Sequence, residues 1–204
     1  MVAHGQDITK SYLASLNSLT EEIKTQNDLI ASQQEYFELR REKLNSTNNP
    51  WSTLYTFDEN GQQKYRDGVF EAFSYMLGTD ENYQPNMNAV EQYNYITSES
   101  GLGISDAMLV YDASGKEIKF TNDDGTTNYS AYETAVQAFW DKIESDKNEM
   151  QSLHDSIQEH KNAVLNEAQK RNEILKAIED NQISVENRVY NAIVDMRQRT
   201  IDAL

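Results

Sequence analysis

A hydrophobic residue recurs every seven positions through the last third of the chain. Ile143, Met150, Ile157 and Val164 begin the series, Arg171 interrupts it, and Ile178, Val185 and Ala192 resume it. A strict seven-residue repeat holds one face of a helix against a partner helix, because slight supercoiling keeps the seam in register. No glycine or proline follows Gly125, so nothing forces such a helix to stop. The pattern predicts one helix from about Ser130 to Leu204, about 100 Å long at 1.5 Å per residue.

A second periodic stretch runs from about Asp7 to Asn45. Tyr12, Leu16, Leu19, Ile23, Ile30, Phe37 and Leu44 form its stripe, with Gln26, Gln33 and Arg40 in the intervening slots. The gaps alternate four and three, so Leu16, Ile23, Ile30, Phe37 and Leu44 share one heptad position. Asp7 is the expected N-cap, since its side chain accepts a hydrogen bond from first-turn amides. The run Asn45-Ser-Thr-Asn-Asn-Pro50 ends the helix, because the residue before proline is driven away from helical angles.

Between these helices the composition changes. Sixteen of the 20 aromatics lie from Trp51 to Trp140, and seven of the eight glycines from Gly61 to Gly125. Aromatics bury much area per residue, so residues 51–129 are the expected site of a small globular core. Two β-hairpins are expected there, one around Asn60-Gly61 within Leu54–Tyr65 and one around Ser114-Gly115 within Met108–Phe120. Gly68–Leu77 and Asn86–Ile96 read as short helices.

The fold class that follows is mainly α: a long antiparallel coiled-coil hairpin with a small α+β module of two β-hairpins inserted at its tip. Its parts are 7–45, 51–129 and 130–204. Leu16, Ile23, Ile30, Phe37 and Leu44 are expected to pack against Ile143, Met150, Ile157 and Val164. The first helix is about half as long as the last, so residues beyond about Leu175 lack an intrachain partner. They are expected to turn a stripe of Ile178, Val185, Val189, Ile193 and Met196 toward another chain, a second copy included.

Charge narrows the partners. Asp plus Glu total 34 against 18 Lys plus Arg, a formal charge of −16, which repels nucleic-acid phosphates and anionic lipid. No apolar run approaches the roughly 20 residues that span a bilayer, and MVAHGQDITKSY has no basic-then-apolar secretory pattern. With no cysteine, disulfides and thiolate zinc sites are excluded.

Candidate chemistry is sparse, and no cofactor or metal is expected. His154 and His160 are six apart, on different faces of a helix, and do not form the pair a metal site uses. His160, Gln26, Gln33 and Arg171 read as polar seam residues that specify register. The acidic turns Asp58–Asn60, Asp80–Asn82 and Asn122–Gly125 lack the glycine and glutamate positions of a calcium loop, and turn chemistry accounts for them. No phosphate loop, GxSxG or HExxH is present, and a catalytic role is not expected. A small hydrolase in 51–129, using Asp58 or Asp106, is the least favoured reading. A stalked binding module presenting Trp51, Tyr93 and Tyr95 to a protein or glycan is the main alternative; Tyr93 and Tyr95 alternate as on a strand, although 86–96 also suits a helix.

Thr56-Phe57-Asp58-Glu59-Asn60-Gly61 matches an aromatic hairpin pattern x-Φ-D-x-x-G-x-Φ set between long helices. Ile178 to Gln182, Val185-Glu186-Asn187-Arg188-Val189, Ala192-Ile193 and Arg197 to Leu204 follow the end of a long acidic helix. In the order of its segments, over about half of the chain and with these stretches as its markers, the sequence resembles a module of the tape-measure proteins of large tailed bacteriophages. The resemblance implies a virion tail component assembled in the host cytoplasm, rod-like and non-enzymatic, that acts as a length ruler or ejected fibre. It implies partners among tail proteins or copies of the chain itself, as a homo-oligomer. Such proteins are usually several times longer and often carry an apolar membrane-active stretch, which this sequence lacks. A helix running to Leu204 without a glycine cap suggests an excised segment.

Overall fold

A computed structural model describes the backbone of residues 2–78, 86–112 and 114–202, and the side chains of those residues except 2–9 and 199–202. The turn expected at Asp80–Asn82 lies outside the described residues. The protein is mainly helical: α1 (Val2–Asn45), α2 (Val69–Leu77), α3 (Ala89–Thr97) and α4 (Tyr129–Asp202). A two-stranded antiparallel sheet joins β1 (Tyr55–Phe57) to β2 (Gln63–Tyr65), with Tyr55 opposite Tyr65 and Phe57 opposite Gln63.

The helix ends show which local signals act. Asp7 is not an N-cap, because α1 is already helical from Val2. Gly5 falls inside that first stretch, and a single glycine costs only about 1 kcal/mol in a helix, too little to stop one. The other end does stop before Pro50. Asn49 donates from Nδ2 to the Leu44 carbonyl at 2.7 Å, and its Oδ1 accepts from Trp51 N at 3.4 Å, satisfying groups that the helix end leaves open. α3 begins with a reciprocal capping box, Asn88 Oδ1 accepting from Glu91 N while Glu91 accepts from Asn88 N.

The chain divides into two compact units, residues 33–156 and residues 1–32 with 157–204. The division cuts both long helices instead of following the loops, because the aromatic module packs on the adjoining ends of α1 and α4. In the 33–156 unit, Leu54, Tyr55, Met76, Ile96, Ile104, Leu109, Phe139 and Met150 are fully buried. Trp51, Phe73, Phe139 and Trp140 form one ring cluster with centroids 4.9–6.0 Å apart, the spacing of tilted and edge-to-face contacts. Gly61, in the β1–β2 turn, sits so close to the helices that an added Cβ would lie 3.0 Å from both the Met150 carbonyl and the Phe37 ring.

One of the two expected hairpins is reduced. Around Ser114-Gly115 there is a single bridge, Tyr111 to Glu117, and not a strand pair. A third turn, around Asp124-Gly125, carries the bridge Thr121 to Thr127. The three turns nonetheless share one pattern. In each, the glycine N–H donates three residues back, to Asp58, Asp112 or Asn122, at 2.9–3.0 Å. Each glycine has φ between 73° and 82°, which non-glycine residues adopt at a cost.

In the unit of 1–32 and 157–204, two helical stretches pair. Leu16, Ile23, Ile30 and Val164 are half-buried and Ile157 is buried. Leu19 and Ile174 line one shallow hollow, with Ser15, Ser18, Lys170 and Glu173 at its edge.

Candidate functional site

Among the described residues of the 33–156 unit, one charged residue, Asp146, is buried in the core. Asp146 projects from α4 and is 2 % exposed at its side chain. Its Oδ2 accepts from the Tyr55 hydroxyl at 2.8 Å, and its Oδ1 takes Lys142 and, at 3.4 Å, Arg40. Arg40 in turn grips Glu149 with two bonds, Nε to Oε1 at 2.9 Å and Nη2 to Oε2 at 2.6 Å. A bidentate guanidinium–carboxylate pair is the stronger and more directional kind of ion pair. Burial, then the bond to Asp146, pushes the Tyr55 hydroxyl well above the usual tyrosine range. The bonds to Glu149 hold Arg40 still more firmly charged, against its partial burial. Every group in the cluster is bound to another, so the arrangement holds α1, β1 and α4 together.

Seam positions expected to be polar are polar pairs. Ser156 Oγ donates to Gln33 Oε1 at 3.2 Å in one unit. In the other, His160 Nδ1 donates to Gln26 Oε1 at 2.6 Å. Of the apolar positions beside them, Phe37, Leu44, Ile143 and Met150 in the 33–156 unit and Ile157 in the other are buried. Arg171 is exposed.

Of the expected ligand face, Trp51 is buried and Tyr93 and Tyr95 are half-buried. Trp51 is 4 % exposed and lies against Phe139, because its large apolar surface fills the module core. Tyr93 packs on Phe120 and Tyr132, while Tyr95 faces Tyr75. Both lie on α3, so the helical reading of 86–96 holds and the strand alternation does not.

The acidic turns are built as turns. Asp58 Oδ1 accepts from Asn60 N and Gln62 N, and Asp112 Oδ1 from Ser114 N and Lys116 N. Although burial opposes its charge, those amides and Lys64 hold the Asp58 carboxyl below the usual range. The Ser114 hydroxyl does the same for Asp112, and the Thr126 hydroxyl for Asp124. Asp106 opens a short 3-10 turn and bonds the neighbouring Ala107 N–H. Among the described residues, no three His, Asp or Glu side chains gather as a metal-holding group. No described helix is long and apolar enough to cross a membrane.

The remaining candidate is the end of α4. Ile178 and Asn181 are half-buried, and every residue from Gln182 to Gln198 is exposed. Val185, Val189, Ile193 and Met196 stand there with Ile183, Tyr190 and Val194, each between 41 % and 66 % exposed. The last three form a second apolar line that the reading of the repeat overlooked. At about 100° per residue, Ile183, Tyr190 and Val194 lie roughly 140° around the helix from Val185, Val189 and Met196. The seven-residue step from Ile183 to Tyr190 was the available signal. The exposed run starts near Gln182 and not near Leu175, which is in keeping with an α1 that reaches back to Val2.

No family model, curated protein or solved structure matches this chain.

Proposed function

We propose that the protein is a non-enzymatic structural and assembly element, whose long helices pair as an antiparallel coiled coil and whose α4 end joins another chain. The exposed apolar run at 182–198 carries this reading. Helices in soluble proteins turn such a stripe toward a partner, and an isolated amphipathic helix gains most of its stability from that packing. The antiparallel pairing draws on Gln33 with Ser156 and Arg40 with Glu149 in one unit, and on Gln26 with His160 in the other. Asp146, buried and bonded at both of its oxygens, supports a holding role over a catalytic one. The resemblance of 56–61 and 178–204 to tape-measure chains supports a place in a phage tail, with tail proteins or further copies as partners.

The test is the mass of the full chain by light scattering, beside a variant carrying Val189→Lys and Met196→Lys. Both side chains are exposed, so the variant keeps its helicity and melting temperature. The expected result is a concentration-dependent mass for the parent chain and a monomer for the variant. A monomeric parent at every concentration overturns the assembly reading.

A further inference from the structure

The exposed run of α4 is laid out with charges in a particular order. Glu179, Asp180 and Glu186 are acidic and no base stands in 179–187, whereas 188–198 holds Arg188 and Arg197 against one acid, Asp195. A net positive stretch is out of keeping with a chain of formal charge −16. Val185, Val189, Ala192 and Met196 follow gaps of four, three and four, which alternates the two core positions of a heptad. Arg188 and Asp195 then occupy the same flanking position one heptad apart, and Glu186 and Ile193 occupy the opposite flank.

We propose that 182–198 pairs with the same stretch of a second copy, antiparallel, as the specific form of the assembly role above, on which the inference rests. In an antiparallel pair, like flanks meet. Packing Val185 on Met196 of the copy, and Val189 on its Ala192, brings Arg188 beside the copy's Asp195 and Asp195 beside its Arg188. On the other flank Glu186 meets the copy's Ile193, with no charges opposed. A parallel pair sets Arg188 against Ile193, Glu186 against Asn181 and Asp195 against Thr200, with no opposite charges in contact. Flanking charge is what selects orientation in helix pairs, so the antiparallel copy is the occupant this surface fits. Arg188 now reaches back to Ser184, Nη2 to Oγ at 3.2 Å, a longer bond than the one a carboxylate makes with a guanidinium.

Sedimentation equilibrium on the full chain tests this by charge exchange. Arg188→Asp and Asp195→Arg each turn two attractions into two repulsions, and each raises the dimer dissociation constant about tenfold. The double exchange restores opposite charges and returns the constant to near its parent value. Single variants that dimerise like the parent, or a double exchange as weak as the singles, overturn the proposal. Orientation is read in the cysteine-free chain by mixing Val185→Cys with Met196→Cys. Antiparallel pairing gives the mixed disulfide. Two copies of position 185 would then be about 17 Å apart along the helix, beyond disulfide reach, so a Val185→Cys homodimer bond refutes it. A chain that never associates fails the assembly reading itself, whereas association indifferent to the exchange fails only this pairing.

Discussion

Asn45, the last residue of α1, holds both backbone groups of Phe57 in β1. Its Nδ2 donates to the Phe57 carbonyl at 2.8 Å and its Oδ1 accepts from the Phe57 N–H at 2.8 Å. The side-chain amide thus takes the place of a neighbouring strand for one residue, and it ties the end of a long helix to the smallest sheet a protein forms.

Replacing Asn45 by alanine leaves the partly buried N–H and carbonyl of Phe57 without partners. The expected loss is about 2 kcal/mol, from two modest hydrogen bonds. Urea unfolding measures it. An Asn45→Asp variant keeps the acceptor and loses the donor, so it falls between the parent and the alanine variant.

The Asp146 cluster gives an unequal pair of variants. Asp146→Ala leaves the buried Tyr55 hydroxyl and the half-exposed Lys142 without their carboxylate while Arg40 keeps Glu149, and costs about 2–3 kcal/mol, the upper part of the range for buried polar groups left unpaired. Tyr55→Phe removes one partner from a carboxylate that keeps two cations, and costs about 1–2 kcal/mol. Thermal melting that ranks them in the reverse order would show that Tyr55, not Asp146, organises the cluster.

The turn glycines separate conformation from packing. Gly115→Ala meets open space but must keep φ near 81°, a cost of about 1–2 kcal/mol. Gly61→Ala has the same conformational cost and also drives a methyl group against the Met150 carbonyl and the Phe37 ring. The difference in unfolding midpoint between the two variants reports the packing of the hairpin on the helices.

Stability changes at both ends of the pH scale, with opposite signs. Burial raises Tyr55, Tyr65 and Tyr93 above the unfolded value of about 10. The folded state therefore holds more protons at high pH, and their contribution, fully present below about pH 10, is lost as pH rises through the folded values. Asp58, Asp112 and Asp124 are lowered, so their contribution is present above about pH 4 and lost as pH falls. Absorbance titration at alkaline pH should show these three tyrosines ionising late, Tyr55 only as the protein unfolds.

What was legible in the sequence was set by residues close together along the chain. The seven-residue spacing in α1 and α4, the stop before Pro50, and the Asn60-Gly61 turn need only local geometry and a half-buried face to act. The mainly helical class with a small sheet follows from them. The start of α1 was not legible, because Asp7 is a good cap only if the residues before it are not helical. Nor was the burial of Trp51, since an aromatic residue serves equally in a core or on a face until its neighbours are placed.

The charge order along 179–198 was written in the sequence, and so was the apolar stripe beside it. Tertiary structure alone decided that this stripe is exposed while the equivalent positions at Ile143, Met150 and Ile157 are covered. It also brought Asp146 to Tyr55, 91 residues away in the chain. Periodicity prescribes which face of a helix is apolar; only the packing of distant segments determines what, if anything, lies against it.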